Sequence, residues 1–255
     1  MSLHVETLGR GPDLVMLHGW ALHSGIWAGM QEPLSRHFRL HLLDLPGHGQ
    51  SVAGDSQTFD AWVSEIDAML PQRAAVCGWS LGGQIALELA VREPRRVERV
   101  ILVSTTPSFI TRGDWTLGIE PGVLEQFAKD LAIDYASTLQ RFLALQVRGS
   151  IRSTDILRAL KSMIFVRGRP SPAALEAGLG ALLNNDLRRR VRQVSQPALV
   201  IHGSRDVLCP PQAGEWLAGH LPNARLRLLS HCGHAPFLSC PGEISGALSD
   251  FLHGD

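Results

Sequence analysis

One serine lies between two glycines in the segment Gly-Trp-Ser-Leu-Gly, where Gly78 and Gly82 are each two residues from Ser80. This spacing is typical of a nucleophile elbow, a sharp turn between a strand and a helix that exposes a serine hydroxyl. The flanking residues must be small because the turn brings the strand and the helix close together. The segment therefore predicts that Ser80 is the nucleophile of a covalent reaction such as ester hydrolysis.

A serine hydroxyl is a poor nucleophile until a base removes its proton. After an elbow of this kind, the acid follows the serine in the chain and the histidine follows the acid. The segment HGSRDVLCP supplies Asp206, and HCGHAPF supplies His234, each just after a short apolar run. We predict a triad of Ser80, Asp206 and His234. His231, which is closer to its strand, and Asp186, in NNDLR, are the alternatives.

Ester hydrolysis also needs hydrogen-bond donors for the oxyanion of the tetrahedral intermediate. The first predicted donor is the backbone N–H of Leu81, the residue after the nucleophile. The second is the backbone N–H of Trp20, in the early segment LHGWALHSGIW. The indoles of Trp20 and Trp79 either pack in the core or form the walls of an apolar pocket.

Short apolar runs alternate with amphipathic stretches along most of the chain. The runs predict buried strands at 13–19, 38–45, 74–80, 99–105, 198–204 and 224–230. The amphipathic stretches predict helices at 60–70, 81–92, 211–220 and 241–252. This alternation predicts an α/β fold with a mostly parallel sheet and helices on both faces. Ligands bind beyond the carboxyl ends of such strands, where the predicted triad lies.

The segment from Pro107 to Arg190 interrupts this alternation and contains no strand pattern. Its periodicity predicts four helices, at 121–133, 135–149, 153–165 and 171–185. We therefore predict a core domain of residues 1–106 and 191–255. Residues 107–190 would form a helical cap over the strand ends.

The chain has 255 residues and equal numbers of basic and acidic residues, 24 of each. This balance does not indicate binding to nucleic acid or to a membrane surface. No apolar run approaches the roughly 18 residues of a membrane helix, and the N-terminus lacks the pattern of a secretory signal. We expect a cytoplasmic monomer.

The four cysteines match no paired metal-binding or redox motif. Cys232 and Cys240 flank His234, and a zinc site that they would form with His231 is a minor alternative. We expect no metal and no organic cofactor. Unpaired, reduced cysteines favour a cytosolic protein.

Taken together, these segments resemble the α/β-hydrolase superfamily over nearly the whole chain. A narrower resemblance is to the pimeloyl-[acyl-carrier protein] methyl ester esterases of biotin synthesis. It is carried by LHGWALHSGIW, FRLHLLDLPGHGQS, GWSLGGQIA, RFLALQ and HAPFLSCP. The resemblance implies hydrolysis of a methyl ester on a carrier-bound pimeloyl chain, with release of methanol. It also implies the same triad and oxyanion residues, and an acyl channel lined by Phe142, Leu143, Ala144, Leu145 and Gln146.

A basic segment lies inside the predicted cap. Between residues 135 and 170 there are seven basic side chains and one acidic one, Asp155. Such a run is either a solvated helix face or a docking surface for an acidic partner. The family resemblance supplies that partner, an acyl carrier protein. We predict that the carrier is guided by Arg141, Arg148, Arg152, Arg158 and Lys161.

Other functions share the same triad. A general short-chain carboxylesterase and a carbon–carbon bond hydrolase are the alternatives among enzymes. A binding protein with a hydrolase fold is the alternative outside enzymes, although all three triad positions hold competent residues. A haloalkane dehalogenase is disfavoured, because Ser80 occupies the position where that group has an aspartate.

Overall fold

Seven strands form one sheet in the computed structural model, which describes residues 3–254. The strands are β1 (Val5–Leu8), β2 (Asp13–Leu17), β3 (Arg39–Leu43), β4 (Ala74–Trp79), β5 (Val97–Val103), β6 (Ala198–Gly203) and β7 (Ala224–Leu229). Their order across the sheet is β1-β3-β2-β4-β5-β6-β7. Only the β1–β3 pair of this sheet is antiparallel. Met1, Ser2 and Asp255, which the sequence assigns to the core domain, lie outside the described residues.

Eleven α-helices lie within the same described range. They are α1 (Ala28–Ser35), α2 (Phe59–Asp67), α3 (Leu81–Arg92), α4 (Pro121–Ile133), α5 (Tyr135–Val147), α6 (Ser153–Met163), α7 (Pro172–Asn184), α8 (Arg188–Val191), α9 (Pro211–His220), α10 (Pro236–Ser239) and α11 (Pro241–His253). A short 3-10 turn, Ser24–Trp27, precedes α1. Across residues 3–254, no helix has the length and apolar character needed to cross a membrane.

The chain reverses its direction of travel across the sheet between β2 and β4. From β2 through α1 it moves one way to β3, and from β4 through α3 it moves the other way to β5. Right-handed crossovers in opposite directions place α1 and α3 on opposite faces of the sheet. α11 packs against α1, and α2 packs against α3. In open parallel sheets ligands bind at such a reversal, which here lies outside the carboxyl ends of β2 and β4.

The predicted strands are confirmed, but the predicted burial of the last one is wrong. β2, β4 and β6 are almost entirely buried, as their unbroken apolar sequences predict. In β7, residues 225–228 are exposed, because this strand is at the sheet edge and pairs only with β6. Its alternating arginines interrupt an edge that would otherwise be a template for pairing with another chain.

The sequence did not predict β1 or α1. β1 is only four residues long and is defined by its pairing with β3, in which Val5 is opposite Leu43. α1 contains Gly29 and Pro33, both poor helix formers, and packs against α11. Neither element has a strong local sequence pattern. Both are stabilised mainly by tertiary contacts, which the sequence does not reveal.

Helices α4 to α7 lie between β5 and β6. Their ends agree with the predicted ends to within two residues. Two side chains connect this region to the rest of the fold. The Arg167 guanidinium donates to Ser24 Oγ at 2.9 Å and to Glu6 Oε2 at 2.5 Å. The Trp20 indole donates to the carbonyl of Leu175 at 2.9 Å.

Two buried histidines connect the loops that follow β2 and β3. His18 Nδ1 donates to the carbonyl of Gly19, and its Nε2 accepts from the backbone N–H of Leu45. His48 Nδ1 donates to the carbonyl of Pro46. Burial lowers the pKa of His18 to about 3 and that of His48 to about 4. Both rings are therefore neutral in the folded protein above those values.

This burial makes the fold sensitive to mild acid. In the unfolded chain a histidine has a pKa of about 6.5, so between pH 6.5 and 4 the unfolded state binds protons that the folded state excludes. The free energy of unfolding should fall across that interval as the pH is lowered. His48→Gln is expected to reduce the slope by up to about 1.4 kcal/mol per pH unit, as measured by urea denaturation between pH 7 and 4.5.

His37→Gln is the matched control, because the His37 side chain is exposed. It should retain the wild-type slope. A His48→Gln protein whose slope equals that of the wild type would contradict the prediction.

Candidate active site

Ser80 occupies a strained turn between β4 and α3, with φ of 55° and ψ of −118°. A Cβ atom on Gly78 would lie 2.1 Å from the carbonyl oxygen of Gly82, and one on Gly82 would lie 2.5 Å from that of Leu17. Only glycine fits at either position, which confirms the predicted elbow geometry. The turn presents the serine side chain at the carboxyl end of β4, where it is partly exposed.

The structure brings Ser80, His234 and Asp206 into one chain of hydrogen bonds. His234 Nε2 lies 2.9 Å from Ser80 Oγ, and His234 Nδ1 lies 2.8 Å from Asp206 Oδ2. His234 and Asp206 are buried, at 2% and 5% exposed. An imidazole held in this way can take the serine proton at Nε2, while the carboxylate fixes the proton on Nδ1.

Asp206 is held by more groups than the sequence predicts. Its Oδ1 accepts from the backbone N–H groups of Leu208 and Cys209, both at 2.9 Å. His202 Nε2 lies 3.3 Å from Oδ2. Burial alone would raise the pKa of Asp206, but the electrostatic interaction with His234 and the hydrogen bonds from both histidines outweigh it. The pKa of this carboxyl is therefore well below its usual value, and Asp206 is ionised at neutral pH.

The alternative triad residues lie elsewhere. His231 is exposed, with φ of 63°, and its carbonyl accepts from the backbone N–H of Ile151. Asp186 forms an ion pair with Arg188 at 2.6 Å. The structure thus places His234, and not His231, beside Ser80. The carboxylate that contacts this histidine is that of Asp206, and not that of Asp186.

Trp79 contacts the histidine loop, which is the segment of residues 230–235 between β7 and α10 that carries His234. Its indole Nε1 donates to the carbonyl of His234 at 2.8 Å, and its ring centroid lies 5.6 Å from that of His234. From the sequence, the Trp79 side chain is predicted only to pack in the core or to form the wall of a pocket. Trp79 immediately precedes Ser80 in the sequence. That position is the signal that could have indicated a link between the predicted nucleophile and the predicted base. The contact of His202 with Asp206 depends on a loop shape that the sequence does not specify.

The two predicted oxyanion donors lie at the same edge. A Cβ on Gly19 would lie 3.2 Å from Ser80 Cβ, so the residue before Trp20 borders the nucleophile. Within residues 3–254, the backbone N–H groups of Trp20 and Leu81 have no hydrogen-bond acceptor. Free N–H groups beside a nucleophile are suited to bind a developing negative charge.

The α5 residues predicted to line an acyl channel face different directions. Phe142 packs against the ring of Trp20 at 4.9 Å, and Leu143 and Gln146 are buried. Ala144 is exposed, whereas Leu145 is partly buried. Both polar atoms of the Gln146 side chain are buried without a partner in the described part of the chain. Five consecutive residues of a helix cannot share one face, since each turn has about 3.6 residues.

The five predicted docking residues are all exposed. Arg141 pairs with Asp130, and Arg152 and Arg158 share Asp155. Arg148 and Lys161 have no ion pair among the residues that the structure describes. Two residues after Arg148, Ser150 Oγ accepts from the backbone N–H of Gly233, next to His234. Uncompensated positive charge therefore begins at the rim of the site.

The groups that could share a metal ion in the described chain are Asp206, Cys209 and His234, whose ligand atoms lie within 4.8 Å of one another. Asp206 and His234 are already hydrogen-bonded to each other. Burial raises the pKa of Cys209 well above its usual value, which disfavours the thiolate that a metal needs. These residues fit a proton relay better than a metal site. Cys232 and Cys240, of the alternative zinc site, lie 3.1 Å apart at their sulfurs.

Comparison with solved structures extends over the whole fold. The esterase of Exiguobacterium antarcticum superposes with a TM-score of 0.91 at 22% identity, covering 99% of this chain and 96% of that chain. The enol-lactonase of Burkholderia xenovorans superposes with a TM-score of 0.85 at 24% identity, covering 98% and 96%. At this level of identity the likeness establishes the fold alone.

Sequence comparison is more specific. Residues 12–241 match the alpha/beta hydrolase fold family. The pimeloyl-[acyl-carrier protein] methyl ester esterase of Nitrosomonas europaea is 52% identical over 243 residues, covering 95% of this chain and 96% of that protein. That of Nitrosospira multiformis is 48% identical over 251 residues, covering 96% and 95%. The chain therefore belongs to the alpha/beta hydrolase fold family, and within it to the family of pimeloyl-[acyl-carrier protein] methyl ester esterases.

Proposed function

We propose that this protein is a serine carboxylesterase that hydrolyses the methyl ester of a pimeloyl chain carried on acyl carrier protein. The products are methanol and pimeloyl-acyl carrier protein, whose freed carboxyl serves biotin synthesis. The observation that carries the reaction type is the hydrogen-bonded chain from Ser80 through His234 to Asp206. The relatives' names support the substrate.

The reaction proceeds in two halves. His234 Nε2 takes the Ser80 proton as Oγ attacks the ester carbonyl, and ionised Asp206 stabilises the imidazolium that forms. The N–H groups of Leu81 and Trp20 bind the oxyanion. His234 then protonates the departing methanol. Water attacks the acyl-enzyme by the same route and restores Ser80.

The cap and the docking surface complete the proposal. Residues 107–190 form a helical cap in which Phe142, Leu143 and Gln146 contact the acyl chain. Arg148 and Lys161, whose charges are uncompensated, attract the acidic carrier, and Arg141, Arg152 and Arg158 contribute more weakly because they already have acidic partners.

The free cysteines support a reducing, cytoplasmic location. A general short-chain carboxylesterase remains the second candidate, because the same triad beside an apolar pocket discriminates little among small esters.

Replacement of the nucleophile tests the reaction type. Ser80→Ala is expected to lower kcat by at least about 10⁴-fold, because the triad acts as a unit. The circular dichroism spectrum should not change, since the side chain is partly exposed and is not part of the core. Ser64→Ala, an exposed serine in α2, is the control and should keep wild-type activity. Substantial hydrolysis by Ser80→Ala would overturn the mechanism.

The substrate is tested by comparing kcat/KM for methyl pimeloyl-carrier protein with that for free methyl esters of several lengths. We expect a preference for the carrier-bound ester that declines as salt is raised, because electrostatic attraction is screened. Comparable rates on all free esters with no activity on the carrier-bound form would assign a general esterase instead.

The docking surface is tested by the double variant Arg148→Ala/Lys161→Ala. Its kcat/KM for the carrier-bound ester should fall about tenfold or more, as expected for lost electrostatic steering, with no change for a free methyl ester. Arg36→Ala, at an exposed arginine just after α1 and outside the cap, is the control. Equal losses on both substrates would contradict a role in docking.

A further inference from the structure

Cys232 and Cys240 form a close pair of thiols beside the proposed base. Their sulfurs lie 3.1 Å apart, and both cysteines are free. Cys232 is buried two residues before His234, whereas Cys240 is partly exposed between α10 and α11. The other two cysteines, Cys77 and Cys209, are buried, at 0% exposed.

The loop that carries Cys232 is attached to several parts of the site. The carbonyl of Cys232 accepts from the backbone N–H of Arg205, next to Asp206. A Cβ on Gly203 would lie 2.5 Å from that same carbonyl oxygen. Movement of Cys232 is therefore transmitted to the loops that hold the acid and the histidine.

We propose that Cys232 and Cys240 are an oxidation site at which a peroxide forms a reversible disulfide that inactivates the enzyme. The inference rests on the proposed esterase function, because it assigns regulation to the same site. The bond would close a ring over residues 232–240, which contains His234 and α10. Four independent features support it: the sulfur separation, the exposure of one thiol, the burial of the other and their position around the base.

The chemistry needs one peroxide and two thiols. The Cys240 sulfur, as thiolate, attacks one peroxide oxygen, the O–O bond breaks, and Cys240 becomes a sulfenic acid as hydroxide leaves. The Cys232 sulfur then attacks the Cys240 sulfur, the S–O bond breaks, and the thiol proton leaves with the hydroxide as water. In total, two thiols and hydrogen peroxide give a disulfide and two waters. Both sulfurs are oxidised and both peroxide oxygens are reduced.

Bond formation must draw the two cysteines together and so loads the short segment between them. A disulfide bond is about 2.05 Å long, so the sulfurs must approach by about 1 Å. The distances from His234 to Ser80 and to Asp206 are already those of good hydrogen bonds, 2.9 Å and 2.8 Å. A displacement of about 1 Å in a catalytic group can cost about 100-fold in rate. We expect a loss of at least about tenfold in kcat/KM.

The test treats the reduced full-length protein with hydrogen peroxide, removes the peroxide with catalase and measures hydrolysis of a small free ester such as p-nitrophenyl butyrate. Residues 228–255 contain no Lys or Arg, so one tryptic peptide carries both cysteines. After blocking with iodoacetamide, mass spectrometry of that peptide reports the disulfide independently of activity. We expect a peptide lighter by two hydrogen atoms that takes no alkyl group, a matching loss of activity, and recovery of both with dithiothreitol.

Two variants are the controls. Cys240→Ser should form no such disulfide and should keep its activity through the same treatment, and Cys77→Ala should remain as sensitive as the wild type. A disulfide without loss of activity, or equal and reversible loss in Cys240→Ser, would overturn the inference. An untreated, reduced protein that hydrolyses neither this ester nor the carrier-bound methyl ester would instead refute the proposed function, while the peptide mass would still report whether the disulfide forms.

Discussion

The close approach of three backbones at Ser80 is the constraint on which the site depends. The ends of β2 and β4 and the start of α3 come together so tightly that a single methyl group on Gly78 or Gly82 would overlap a carbonyl oxygen. This crowding holds Ser80 in a left-handed conformation, in which few residues other than glycine are found without support. The same approach places Gly19, the residue before Trp20, beside Ser80. The proposed nucleophile and the proposed oxyanion donors therefore depend on one packing arrangement of the sheet.

The histidine loop depends on contacts from both the core and the helical insertion. From the core, the Trp79 indole holds the carbonyl of His234. From the insertion, the carbonyl of Gln146 accepts from the backbone N–H of Ala235, and Ser150 accepts from Gly233. The residues before and after His234 are therefore both held by hydrogen bonds. This keeps the imidazole of the proposed base within hydrogen-bond distance of Ser80. It also explains why a small shift at Cys232 should reach the chemistry.

The central fold and the meeting of Ser80, Asp206 and His234 could be predicted from the sequence, because strands, elbow and strand-end loops have local signals. Buried parallel strands read as apolar runs, and an elbow requires glycines at fixed spacing. β1, α1 and the exposure of β7 could not be predicted, since pairing and edge position are properties of the assembled sheet. The contact of His202 with Asp206 and that of Trp79 with His234 join residues far apart in the chain or held by irregular loops. No sequence period encodes such contacts. Nor could the separation of Cys232 and Cys240 be inferred, because α10 lies between them.

Two of the contacts between the helical insertion and the histidine loop use only main-chain atoms, from Gln146 to Ala235 and from Ile151 to His231. Such bonds persist when side chains change, provided that the helix keeps its path. The side chains of α5 can therefore vary from one related enzyme to another without displacing the base. Substrate range and catalytic geometry are therefore expected to be separable, because the proposed wall of the acyl channel can change while Ser80, His234 and Asp206 keep their positions. Most point substitutions along that wall should consequently alter which ester is bound before they alter how fast a bound ester reacts.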